Sequence, residues 1–209
     1  MRKEKLAILG GSRGLGAALV KNLKNRGHEI FMVSRKNSSE DINNWLSSDF
    51  SQKTQWPQLI QKLDEFQPEI LIYCAGGGPY GIFGNKSWRD QEWSLAVTFE
   101  CPAFLVWEWC RAQTLKSVQK LIVIGSSVAE SQPDPQAAMY CAAKHALKGL
   151  IESLKIEYPQ KEIHLFSAPY MDTDLLPPGA WPRQKPGLVH SPDVVAQDLV
   201  NSLLDGAPR

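Results

Sequence analysis

Short apolar runs alternate with longer segments of helical period along the whole chain. That alternation restricts the fold to strands that each feed a helix packed on a parallel sheet. Leu6 to Leu9 is the first strand, and Leu15, Leu19 and Leu23 recur one turn apart in a helix from Leu15 to Arg26, which Gly27 stops. Ile30 to Val33 and Trp45 to Ser48 read as the second and third strands. Pro57 opens a helix with Leu59, Leu63 and Phe66 on one face, and Pro68 closes it. Ile70 to Cys74 is a fourth strand, followed by a glycine-rich loop through Gly84. Ser87 and Asp90 have the capping-box pattern for a long helix that should end near Leu115 and kink at Pro102. Leu121 to Ile124 and Ile163 to Phe166 are the last two strands, with a helix over Met139 to Glu157 between them. The proline-rich stretch from Leu176 to Pro192 is expected to be a loop covering a site, and Pro192 starts a final helix through Leu204.

With 209 residues, 43% of them hydrophobic, the chain can bury one substantial core, so residues 1 to 209 are expected to form a single domain. The net charge is +1, which carries neither a nucleic-acid footprint nor an acidic tail and points to a small-molecule partner. The apolar residues after Met1 to Lys5 are too few for an export signal. The longest apolar run, Ala103 to Trp107, is broken by Glu108, so no membrane partner and a cytoplasmic location are expected. Cys74, Cys101, Cys110 and Cys141 have no metal-type spacing and read as free thiols.

The first strand runs directly into Gly10-Gly11-Ser12-Arg13-Gly14-Leu15-Gly16, a glycine-rich turn at a strand-to-helix junction. Such a turn lets backbone N–H groups approach a pyrophosphate whose charge the helix N-terminus also favours, the nucleotide cradle of a Rossmann-type doubly wound sheet. The second strand ends in Ser34, Arg35 and Lys36, where an NAD-preferring site would offer a carboxylate to the ribose hydroxyls. Cations there, with Arg13 closing from the glycine turn, point to the ribose phosphate of NADP(H). Tyr140 and Lys144 are four positions apart, so both lie on one helix face, where the ammonium is expected to favour the phenolate and lower the tyrosine pKa. Ser127 follows the C-terminal end of a strand, where open parallel sheets bind ligands, and its hydroxyl is placed to polarise a carbonyl.

From about Lys5 to Leu204 these residues resemble the short-chain dehydrogenase/reductase family. Gly10, Gly14 and Gly16 match its glycine turn, with Leu9 where the family has Thr. Asp49 and Phe50 match the pair that contacts adenine, and Ala75 and Gly76 match the end of its N-N-A-G motif. Tyr140 and Lys144 match Y-x-x-x-K, with Ser127 at the usual thirteen residues before the tyrosine. The resemblance implies a carbonyl or alcohol substrate and catalysis by Ser127, Tyr140 and Lys144, with Lys144 also holding the nicotinamide ribose. NADP(H) is expected to contact Ser12, Leu15, Pro169 and Thr173 besides the residues above.

The departures fall near the chemistry. Tyr73 and Cys74 stand where the motif has asparagines, Thr98 aligns with the family's catalytic Asn, and Pro169-Tyr170 replaces Pro-Gly. They leave a non-enzymatic NADP(H)-binding sensor or scaffold as the second reading and an epimerase or dehydratase as a third. Trp181, in the proline-rich loop, is the expected aromatic substrate contact. The chain ends soon after the last helix, and the resemblance then implies a homodimer through the helices around Phe104 to Arg111 and Tyr140.

Overall fold

The computed structural model describes residues 3–37, 42–129 and 133–205. Six parallel strands are ordered β3-β2-β1-β4-β5-β6: β1 (Lys5–Leu9), β2 (Glu29–Ser34), β3 (Trp45–Ser47), β4 (Ile70–Tyr73), β5 (Lys120–Ile124) and β6 (Glu162–Phe166). Helices α1 (Gly14–Asn25), α2 (Trp56–Phe66), α3 (Trp88–Leu95), α4 (Cys101–Arg111), α5 (Ala138–Glu157) and α6 (Pro192–Leu199) connect or follow them.

Because both sheet faces are covered, the central strands are apolar over Leu6–Leu9, 30–33, Ile70–Tyr73 and 121–124, and alternate residues enter different cores. Leu6, Ile8, Ile30, Met32, Ile70, Ile72, Ile122 and Ile124 pack with Leu19 and Leu23 of α1 and Val195 and Leu199 of α6. Ala7, Leu9, Phe31, Val33, Leu71, Tyr73, Leu121 and Val123 pack on the opposite face with α2, α4 and α5. The order of connection reverses between β1 and β4, which pair in register from Leu6 with Ile70 to Leu9 with Tyr73. A crevice therefore opens beyond their C-terminal ends.

The long helix expected to reach Leu115 is two helices. Pro102 lacks the N–H that would reach back to the Thr98 carbonyl, and the chain widens into a π-helical turn over Ala96–Glu100 between α3 and α4. The helix then stops at Arg111, because Ala112 takes a left-handed φ of 56°. The buried Tyr73 hydroxyl donates to the Val97 carbonyl at 2.7 Å, tying β4 to the π turn. All four cysteines are free, and no helix among the described residues is long and apolar enough to cross a membrane.

Candidate active site

The crevice is a cleft of about 870 Å³. At one end the glycine turn lies beneath it. A Cβ on Gly10 would stand 2.6 Å from the Ala75 nitrogen, and one on Gly16 would overlap the Gly10 carbonyl oxygen. Side chains are thus excluded from a cradle that leaves the backbone bare. Helix α1 begins at Arg13 with no side-chain cap and no acidic residue in its first turn, so its leading N–H groups remain available to an anion. Ser12, Arg13, Gly14, Leu15 and Gly16 line this end with Ser34 and Arg35. The cradle fits a dinucleotide pyrophosphate.

Lys36 does not join them. The Ser34 hydroxyl donates to the Lys36 carbonyl at 2.7 Å, and after this tight turn Lys36 is exposed, outside the cleft. The cation that sequence reasoning missed is Lys21, which also lines the cleft. It lies seven residues beyond Gly14, two turns along the same face of α1, and that spacing was the available signal. Asp49 and Phe50 form the adjoining wall. Asp49 accepts from the Ser51 amide at 3.0 Å and the Ser51 hydroxyl at 2.8 Å, while Phe50 packs on Tyr73 with ring centroids 5.5 Å apart.

Toward the other end, Ala75 and Gly76 follow β4, and Pro169 and Thr173 follow β6; all four line the cleft. A Cβ on Gly14 would meet the Thr173 methyl at 3.2 Å, so the loop after β6 folds back onto the glycine turn. Tyr140 and Lys144 enter from the first two turns of α5. The buried Lys144 Nζ donates to the Ile124 carbonyl at 2.6 Å and lies 5.6 Å from the centre of the Tyr140 ring. A Cβ on Gly76 would stand 3.4 Å from that nitrogen, so glycine keeps the ammonium's approach to the cleft open.

The serine facing Tyr140 is Ser126, not Ser127. Beyond the end of β5, Gly125 and Ser127 turn their amides to Phe166 and Ala168, at 2.8 and 2.9 Å, and strand alternation sends the intervening Ser126 side chain into the cleft. Ser127 opens a 3₁₀ turn and does not line the cleft. Spacing from the tyrosine selected the second serine of the doublet, whereas the phase of the strand selects the first. Ser126 is hydrogen-bonded to the Tyr140 side chain.

Electrostatics also differ from the sequence expectation. Burial pushes Tyr140 up to about 12, and the Ser126 hydrogen bond opposes that shift; Lys144 is not what governs it. Burial pulls Lys144 itself down to about 8. Cys74, also on the cleft wall, is pushed up to about 12 by burial and stays protonated. Its thiol is therefore no nucleophile.

Thr98 is buried beside this group and fully engaged with the loop after β4. Its hydroxyl donates to the Gly77 carbonyl at 3.0 Å and accepts from the Gly77 amide at 3.1 Å. Trp181 does not line the cleft. It stands in a 3₁₀ turn, Trp181–Gln184, where its indole N–H donates to Asp134 at 2.8 Å and its ring meets Tyr170 edge-on at 5.7 Å.

The short chain dehydrogenase model matches residues 4–178, and the chain belongs to that family of oxidoreductases. One relative is the "inactive hydroxysteroid dehydrogenase-like protein 1" of Rattus norvegicus, 26% identical over 94% of this chain and 64% of the relative. The chain spans less than two thirds of the length of this and other curated relatives. Among solved structures, BdcA in complex with NADPH matches at TM-score 0.78 and 22% identity, over 94% of this chain and 85% of that one. A 4-hydroxyisoleucine dehydrogenase complexed with NADH matches at 0.80 and 19%, over 97% and 93%.

Proposed function

We propose that this chain is an NADP(H)-dependent carbonyl reductase acting on a ketone or aldehyde in the cytoplasm. The observation that carries the reading is the Tyr140 side chain hydrogen-bonded to Ser126, with the buried Lys144 ammonium beside its ring. When bound, the reduced nicotinamide supplies hydride to the carbonyl carbon. Tyr140, pushed up to about 12 and so protonated at working pH, donates the proton to the carbonyl oxygen. Ser126 orients that oxygen against the phenol, and the Lys144 ammonium stabilises the tyrosine as its proton leaves. Arg13 and Arg35 clamp the ribose phosphate, with Lys21 adding charge on the same side. Four free thiols suit a reducing compartment.

Assays of NADPH consumption across aldehydes, ketones, quinones and pterins test the reaction. Titrations test the cofactor: NADPH should bind more tightly than NADH, and Arg35→Ala should weaken NADPH about 10- to 100-fold while leaving NADH nearly unchanged. Equal affinity for the two nucleotides in the wild type would remove the ribose-phosphate clamp.

The second reading, a non-enzymatic NADP(H)-binding sensor or scaffold, is favoured by Thr98, whose hydroxyl is spent on Gly77, and by the relative described as inactive. Tight NADPH binding with no turnover on any carbonyl would select it. A homodimer is also proposed, because Trp107 of α4 and Ile156 of α5 are 53% and 84% exposed. Light scattering at micromolar concentration should give twice the chain mass, and a monomer would refute it.

A further inference from the structure

Beside the cleft, a smaller chamber of about 70 Å³ adjoins Tyr140 and Ser126 on the side away from the glycine turn. One wall is a carboxylate. Asp134 is 6% exposed, lines this chamber, and takes hydrogen bonds from two neutral donors, the Trp181 indole at 2.8 Å and the Tyr170 side chain. Both rings hold each other edge-on, so the carboxylate is fixed in place. Other titratable groups facing it are Tyr80, Tyr140 and Cys141, none of them a cation. Burial raises Asp134 above the ordinary carboxylate value, and the two hydrogen bonds oppose that rise.

An ionised carboxylate only accepts hydrogen bonds, with lone pairs to spare beyond two donors. In a small, poorly solvated chamber its charge acts strongly on whatever enters. A ligand bringing a hydroxyl, amine or ammonium group gains a charge-assisted bond, whereas one bringing its own carboxylate or phosphate meets like charge. Asp174 stands in the loop beside the chamber, whereas Asp172 on the other side of Thr173 is paired with Arg183 at 2.6 Å.

We infer that Asp134 sets the substrate class: carbonyl compounds that carry a hydrogen-bond donor or a positive group, and no carboxylate or phosphate, near the carbonyl. The inference rests on the reductase reading for the word substrate, but the chamber's ligand preference is independent of turnover. Asp134→Asn keeps an acceptor for the Trp181 indole and removes the charge. Trp181→Phe removes the indole donor and keeps the charge.

Two sets of probes decide it. Benzaldehyde, 3-(hydroxymethyl)benzaldehyde and 3-carboxybenzaldehyde are compared by kcat/KM with NADPH. Benzyl alcohol, benzyltrimethylammonium and benzoate are compared by dissociation constant on the full chain with NADP+. Wild type should favour the hydroxymethyl aldehyde over the carboxylate, and benzyltrimethylammonium over benzoate, by about tenfold or more. Asp134→Asn should close most of that gap through a gain on the anions, and Trp181→Phe should leave it open. A wild-type preference for the anions, or none, overturns the assignment without any variant being needed. So does an unchanged ratio in Asp134→Asn. Absence of turnover on every aldehyde counts against the reductase reading instead, and the dissociation constants then decide the role of Asp134.

Discussion

In Tyr140→Phe, carbonyl reduction should fall by about 10²- to 10⁴-fold, while NADPH affinity changes by no more than about threefold. The substitution removes one oxygen and keeps the ring that packs against Val128, Ala137 and Cys141. The lost oxygen is the one hydrogen-bonded to Ser126 at this end of the cleft. Lys144 cannot replace it as donor without losing the ammonium that stabilises the charge. Ser126→Ala should therefore reduce turnover as well, whereas Ser127→Ala should be nearly silent in kcat, because Ser127 lies outside the cleft. Stopped-flow single turnover with NADPH separates the proton-transfer step from product release. Near wild-type turnover in Tyr140→Phe would mean that the proton comes from elsewhere, and a large loss confined to Ser127→Ala would restore the assignment made by spacing.

That contrast between the two serines marks where sequence reasoning stops. The strands were legible because a parallel sheet covered on both faces needs uninterrupted apolar runs, and Leu6 to Leu9 or Leu121 to Ile124 can serve little else. The glycine turn was legible because Gly10 and Gly16 stand where a side chain would collide with Ala75 or with Gly10 itself. Motif spacing, by contrast, counts residues and not directions. Whether Ser126 or Ser127 faces the tyrosine depends on where β5 ends and how the amides that follow it, of Gly125 and Ser127, pair with the Phe166 and Ala168 carbonyls. Lys36 and Trp181 stand outside the cleft for a related reason. Each belongs to a segment held by hydrogen bonds, among them Ser34 to the Lys36 carbonyl and Trp181 to Asp134, that no periodicity announces. Asp134 itself carries no sequence signal, since a lone acidic residue between two prolines reads as a solvated turn.

Lys144 should cost the protein stability and be indispensable to turnover. Lys144 is 3% exposed and its ammonium donates to the Ile124 carbonyl; burial pulls its pKa from 10.5 to about 8. A lysine whose folded pKa lies below its unfolded value destabilises the fold while both states are protonated, that is, below about pH 8. The penalty, roughly 3 kcal/mol, is relieved as pH rises from about 8 toward the unfolded value. Lys144→Met keeps an unbranched chain of similar length without the charge, so it should melt at a higher temperature than wild type at pH 7, with the gap narrowing by pH 10. It should also lose most of its turnover and part of its NADPH affinity. In the wild type, reduction needs Lys144 protonated, and Tyr140, at about 12, adds no titration of its own in this range. The rate of reduction should thus be flat below about pH 8 and fall about tenfold per unit above it. Thermal unfolding and pH–rate profiles on one accepted carbonyl, run on both proteins, measure the two effects together. A flat wild-type profile from pH 7 to 10, or a Lys144→Met protein that is both less stable and fully active, would show that the ammonium is a structural group and not a catalytic one.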